Sequence, residues 1–188
     1  MKVTIVLGSA RKGRQSHKIA HYLQLQLATR AVETDLIDLA EDRLPLLEDS
    51  LGFEELIQKI SARLAASDAL IFVTPEYHGS FSGVLKNALD YFWAEFQRKP
   101  IGVATVSSGR MGGINASTQL QHVILSLGAY PLPLKLLVPE IHNAFEASSN
   151  QLNDTITESA RKFLNEFLWF SEAIADKKLQ QIQNLENA

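Results

Sequence analysis

The chain has 188 residues, 46% apolar and 21% charged, a balance that fits one folded domain over 1–188 and excludes intrinsic disorder. A formal net charge of −3 provides no polyanion-binding surface, which sets nucleic acid aside as a partner. With no cysteine, disulfides, thiol catalysis and thiolate metal sites are removed together.

The first apolar run, Val3 to Leu7, is too short for a signal peptide, and no later run is long enough to cross a bilayer. The expectation is a cytoplasmic protein with no membrane partner. Val3 to Leu7 ends at Gly8 and reads as a buried strand. Ile19, Ala20, Leu23 and Leu27 then fall at helical spacing from Ser16 onward. Thr34 to Leu39 is a second strand. Asp49 or Ser50 can cap a helix that carries Leu56, Ile57, Ile60 and Leu64 on one face. Ala69 to Val73 is a third strand, followed by a loop at Pro75-Glu76-Tyr77-His78-Gly79. Val84, Leu85, Ala88, Leu89 and Phe92 mark the next helix, and Ile101 to Val106 the fourth strand with its loop at Ser107 to Gly113. A helix over about 114–127, a strand near Leu134 to Val138 and a long helix from Asp154 to beyond Ile182 complete the chain.

That order is βαβαβαβαβα, without repeats or linkers. Alternation with uniformly apolar strands implies a parallel sheet covered on both faces. The predicted fold is α/β, a flavodoxin-like, doubly wound, five-stranded sheet in the order 2-1-3-4-5. In such sheets ligands sit at the carboxyl ends of the strands near the switch point. Here the ends of strands one, three and four carry the three least ordinary loops.

The loop Gly8 to Ser16 leads into a helix, so its backbone N–H groups suit an anion such as phosphate. Ser9 and Ser16 offer hydroxyls, and Arg11 or Arg14 adds charge and a planar fork. Basic residues oppose the dipole at a helix start, which argues for a bound anion over a plain capped turn. Gly8 and Gly13 have P-loop spacing, but Arg14-Gln15 replaces the required lysine and hydroxyl, which argues against ATP chemistry. Ser9-Ala10 after Gly8 breaks the dinucleotide fingerprint. The second loop, through Pro75, Tyr77 and Gly79, places exposed aromatics where a ring can lie. His78 lacks a second ligand at helical or hairpin spacing, so no metal is expected. The glycines of Ser107-Ser108-Gly109-Arg110-Met111-Gly112-Gly113 let backbone N–H groups approach a flat ligand.

Three segments, G-S-A-R-K-G-R-Q-S, P-E-Y-H-G-S-F-S-G-V-L-K-N-A-L-D-Y-F and S-S-G-R-M-G-G, resemble the NADPH-dependent FMN reductase family, with its azoreductase, quinone reductase and chromate reductase members. The middle segment is the most specific, and the likeness spans roughly Val3 to Val138. The resemblance implies that Ser9, Arg11, Arg14, Gln15 and Ser16 hold the FMN phosphate. It sets Pro75, Glu76, Tyr77 and His78 beside the isoalloxazine ring, and Ser107, Ser108, Gly109, Gly112 and Gly113 at its far edge. Arg14 stands where many members have Ser or Thr, and His78 where many have Asn.

The implied activity is an oxidoreductase that passes hydride from NADPH or NADH through FMN to a small acceptor: a flavin, quinone, azo compound or metal oxyanion. Because the flavin carries the chemistry, no catalytic side chain is assigned. A different class of function is a flavodoxin-type electron carrier without NAD(P)H activity; such carriers usually have acidic surfaces and Thr- and Gly-rich phosphate loops, unlike Arg11, Lys12 and Arg14 here. Tyr91, Phe92, Trp93 and Phe96 crowd one helix, so a homodimer or homotetramer with the flavin near the subunit boundary is expected, and related reductases are similarly dimers or tetramers.

Overall fold

A computed structural model of the protein describes residues 1–145 and 152–186. In chain order its main elements are β1 (Lys2–Leu7), α1 (Ser16–Ala28), β2 (Glu33–Asp38), α2 (Glu54–Ala65), β3 (Ala69–Tyr77), β4 (Ser80–Phe81), α3 (Gly83–Tyr91), β5 (Pro100–Val106), α4 (Ile114–Ser126), β6 (Tyr130–Pro131), β7 (Leu136–Val138) and α5 (Asp154–Glu186). The sheet runs β2-β1-β3-β5-β6, with every pair on that path parallel. The fold class is the expected α/β one, but the strand order differs in two details. The fifth strand is split into β6 and β7, which pair with opposite ends of β5. Pro131 and Pro133 supply no N–H donors, so no continuous ladder can form between them. The additional strand, β4, folds back antiparallel on the end of β3.

The period-two alternation of the strands feeds two cores. Val3, Ile5, Leu7, Ile71, Val73, Ala104 and Val106 face α1 and α5, while Val6, Leu70, Phe72, Ile101 and Val103 face α2, α3 and α4. Gly102 is required by α5: a Cβ there would stand 2.7 Å from the ring of Phe163, which stacks on Phe167.

Three local expectations fail for identifiable reasons. Asp49 and Ser50 do not cap α2. They belong to a 3₁₀ turn at Leu47–Asp49 and its end, and α2 begins behind Phe53 without a side-chain cap. Pro75 to Tyr77 are strand, not loop, because β5 gives Pro75 a partner in Val106 and the hairpin to β4 gives Glu76 and Tyr77 partners in Phe81 and Ser80. The helix bearing the aromatic cluster ends at Tyr91. Phe92 and Phe96 then turn inward, are buried, and pack edge-on with Phe96 against Phe72, while Trp93 stays 62% exposed.

Candidate functional site

The carboxyl ends of β1, β3 and β5 meet at one edge of the sheet, and what holds them there is polar. Gly8 N–H donates to the Val73 carbonyl, joining β1 to β3. The Ser82 hydroxyl donates to the Gly8 carbonyl at 2.6 Å and accepts from Leu85 N–H as the N-cap of α3. Gly8 has no room for a side chain, since a Cβ would come within 2.7 Å of Leu85 Cβ. The first loop is therefore fixed at its root by the helix that follows β3.

A cavity of about 240 Å³ opens over this edge. The first loop lines it with Ser9, Arg11, Arg14, Gln15 and Ser16, together with Lys12 and Gly13. Pro75, Glu76 and Tyr77 form a second wall, and Val106, Ser107 and Ser108 a third. Of the residues expected at the site, His78, Gly109, Gly112 and Gly113 do not line the cavity.

Those absences have physical reasons. His78 and Gly79 have φ of 51° and 76°, so both central residues of the β3–β4 hairpin are left-handed, the pattern of a type I′ turn. The position selects for conformation, and histidine is among the residues that tolerate it. Gln119 fastens this hairpin to α4, donating to the Gly79 carbonyl and accepting from the Ser80 hydroxyl, each at 2.8 Å. Gly112 and Gly113 also have positive φ, and Cβ atoms on them would press on Leu137 at 2.9 Å and on Thr105 at 2.8 Å. These glycines seat the loop on β5 and β7.

Sequence reasoning missed Ile141 and His142, which close the cavity from the segment after β7. Their one signal was position: they follow the carboxyl end of the fifth strand, where an α/β sheet places its ligand loops. Ile141 N–H donates to the Ser107 carbonyl and Glu140 N–H to the Gly109 carbonyl, so this segment is pinned to the loop after β5. His142 is exposed at the rim.

The polar groups of the cavity fall into two kinds. Glu76 is spent: its Oε2 accepts from Ala116 N–H at 3.0 Å, capping the first turn of α4. Arg14 is spent as well, with its guanidinium on both carboxylate oxygens of Asp38 and on the Ser9 carbonyl. Ser9 and Ser16 are not. Each is 1% exposed, and their hydroxyls are two of the three buried side-chain polar atoms without a partner among the described residues, the third being Ser171 on α5. α1 itself starts at Ser16, and Gln15 before it provides no side-chain cap. Buried hydroxyls are normally satisfied, so two orphans beside an uncapped helix start mark a place built to receive hydrogen-bond acceptors. Arg11 and Lys12 stand exposed at the same edge. Among the described residues no cluster of His, Cys, Asp and Glu can hold a metal ion.

Comparison with known proteins agrees with this geometry. Residues 1–143 match the family model described as NADPH-dependent FMN reductase. The chain is 34% identical over 182 residues to an FMN-dependent NADPH-azoreductase of Staphylococcus aureus, covering 90% of this chain and 95% of the relative. It is also 34% identical over 145 residues to an NADPH azoreductase of Bacillus sp. (strain OY1-2), covering 76% of this chain and 79% of that one. Among solved structures, the flavoenzyme NAD(P)H:(acceptor) oxidoreductase FerB of Paracoccus denitrificans superposes with a TM-score of 0.78 at 26% identity, covering 92% of this chain and 97% of that chain.

Proposed function

The chain belongs to the NADPH-dependent FMN reductase family and is an oxidoreductase; from that premise we propose that it binds FMN in the cavity at the ends of β1, β3 and β5 and reduces a small acceptor at the expense of NADPH, or of NADH. The acceptor is of the flavin, quinone, azo or metal-oxyanion class. FMN, when bound, supplies the redox chemistry, so the protein's task is to hold, orient and shield it.

The observation that carries this reading is the pair of orphaned hydroxyls on Ser9 and Ser16 beside the uncapped start of α1. A dianionic phosphate gives both hydroxyls acceptors and compensates the positive end of the helix. Arg11 adds a charge-assisted hydrogen bond from the rim, and the backbone at Gln15 and Ser16 adds N–H donors. Pro75 to Tyr77, held straight by the hairpin, border the ring on one side, with Ser107 and Ser108 on the other. We assign no catalytic side chain.

The same reading sets the flavin close to a subunit boundary in a homodimer or homotetramer. The β3–β4 hairpin contributes Tyr77 to the cavity and Ser80 and Phe81 to a neighbouring open groove lined by Gly83, Lys86, His122 and Val123. A second copy seated in that groove would touch the hairpin that borders the cofactor. Of the four aromatics expected to favour association, Phe92 and Phe96 are buried within one chain and Tyr91 is half-buried, which leaves Trp93 and this groove as its main support. No helix among the described residues is long and apolar enough to cross a membrane, and the proposed compartment is the cytoplasm, where NADPH is available.

The test is to purify the protein, record its visible spectrum with added FMN and FAD, and follow NADPH oxidation against one acceptor of each class. The reading expects stoichiometric FMN, weaker FAD and turnover with at least one acceptor. A protein that binds neither flavin refutes it. Light scattering coupled to gel filtration checks the assembly, and a monomer mass at tens of micromolar with FMN present refutes the dimer.

A further inference from the structure

We propose that Asp38, which lines no part of the cavity, is a positioning residue for FMN: by latching Arg14 it sets the first loop in its phosphate-binding shape. The inference rests on the FMN reading above.

An arginine at the start of a helix faces the positive end of the helix dipole and is expected to turn toward an anion. Arg14 has found one inside the protein. Its two terminal nitrogens lie 2.5 Å from the two carboxylate oxygens of Asp38, and one of them also donates to the Ser9 carbonyl. Neither side chain is free to wander, at 16% and 17% exposure. A bidentate pair in such surroundings is directional as well as strong.

Asp38 is fixed from behind. It is the last residue of β2, in register with Leu7 at the end of β1, and its carboxylate also accepts from Ala40 N–H. The latch thus ties the middle of the first loop to the sheet. Its contact with Ser9 is the informative one. A carbonyl oxygen directed into the cavity would repel a phosphate, whereas here the Ser9 carbonyl is occupied by the guanidinium and the Ser9 hydroxyl is left buried and unpartnered. Asp38 also neutralises Arg14, so the cations available at the rim are Arg11 and Lys12. The loop is ordered before a ligand arrives, and less binding free energy is lost in ordering it.

The opposite expectation is equally concrete: were Asp38 only a competitor for Arg14, releasing the arginine would strengthen phosphate binding. The sign of the effect decides. The experiment is fluorescence titration of FMN and of riboflavin, which lacks the phosphate, into wild type, Asp38→Asn, Arg14→Gln and the double variant, with thermal unfolding of each apoprotein. The latch predicts about a tenfold rise in the FMN Kd for Asp38→Asn, the scale of one lost charge-assisted interaction. It also predicts less than about a twofold change for riboflavin, and a double variant no worse than the weaker single, as for two residues acting as one unit. Arg14→Gln gives the same pattern and carries the test should Asp38→Asn fail to fold. Equal or tighter FMN binding by Asp38→Asn overturns the proposal, as does a parallel weakening of both flavins. Wild type that fails to distinguish FMN from riboflavin overturns the phosphate site and the latch together, whereas discrimination unchanged between wild type and both variants overturns the latch alone.

Discussion

Two loops of this protein look alike on paper and are built to opposite ends. Gly8 to Ser16 and Ser107 to Gly113 each leave the carboxyl end of a parallel strand, are rich in serine and glycine, include arginine (two in the first, one in the second) and lead into a helix of 13 residues. The second loop is satisfied by its own protein. Thr105 donates to the Gly112 carbonyl, Ser107 to the Gly109 carbonyl, and Glu76 caps the helix that follows. The first loop is left with two buried hydroxyls and an uncapped helix start. The difference teaches that a ligand loop is recognised by what it leaves unpaired, not by its glycine content.

The largest effect sharpens the structural side of the contrast. Gly113→Ala puts a Cβ at φ 84° within 2.8 Å of Thr105. Left-handed strain and overpacking together should lower unfolding stability by about 2–4 kcal/mol. Urea unfolding measures it, and the preference for FMN over riboflavin should survive in the folded fraction. A variant as stable as wild type would show that this loop is not fixed by packing.

Next comes the ligand side. Arg11→Ala should cost about 1.5–3 kcal/mol of FMN affinity, the range for a hydrogen bond to a charged group. Its exposed side chain makes no hydrogen bond or ion pair among the described residues, so the change should leave apoprotein stability within about 0.5 kcal/mol. An unchanged FMN Kd returns Arg11 to an ordinary solvated surface.

A smaller change makes the two helices alike. Glu76→Ala removes the α4 cap and should cost about 0.5–2 kcal/mol of stability by thermal unfolding, the usual cost of losing such a contact. The smallest effect is a gain. His78→Asn keeps the type I′ turn with a residue that accepts φ of 51° more readily, and should stabilise the protein by less than about 1 kcal/mol without moving flavin affinity. A shift in FMN Kd with this variant would give His78 a role at the ring that the geometry does not support.

Most of the fold was legible because its signals are local and redundant. Short apolar runs, with helical spacing between them, repeat along the chain, and the doubly wound sheet follows from that alternation. What was not legible depends on contacts far apart in sequence. That Pro75 to Tyr77 are strand follows from pairing of Pro75 with Val106 and of Glu76 and Tyr77 with Phe81 and Ser80, whereas a proline followed by polar residues reads locally as a loop. Phe96 reads as a spare aromatic until Phe72 receives it. At the site, the residue types of the first loop were readable, but the partner of Arg14 was not, since Asp38 lies 24 residues away on a neighbouring strand. Ile141 and His142 carry no motif at all and reach the cavity only because β7 ends beside β5.

The central claim is that the first loop is an anion site shaped for the phosphate of FMN. Titrating the apoprotein with FMN and riboflavin side by side, at one ionic strength, isolates that group, since the ring system is common to both. With two hydroxyls, helix N–H groups and Arg11 on the phosphate, FMN should bind at least about a hundredfold more tightly, near 2.7 kcal/mol. Dissociation constants within about twofold of one another would contradict the account.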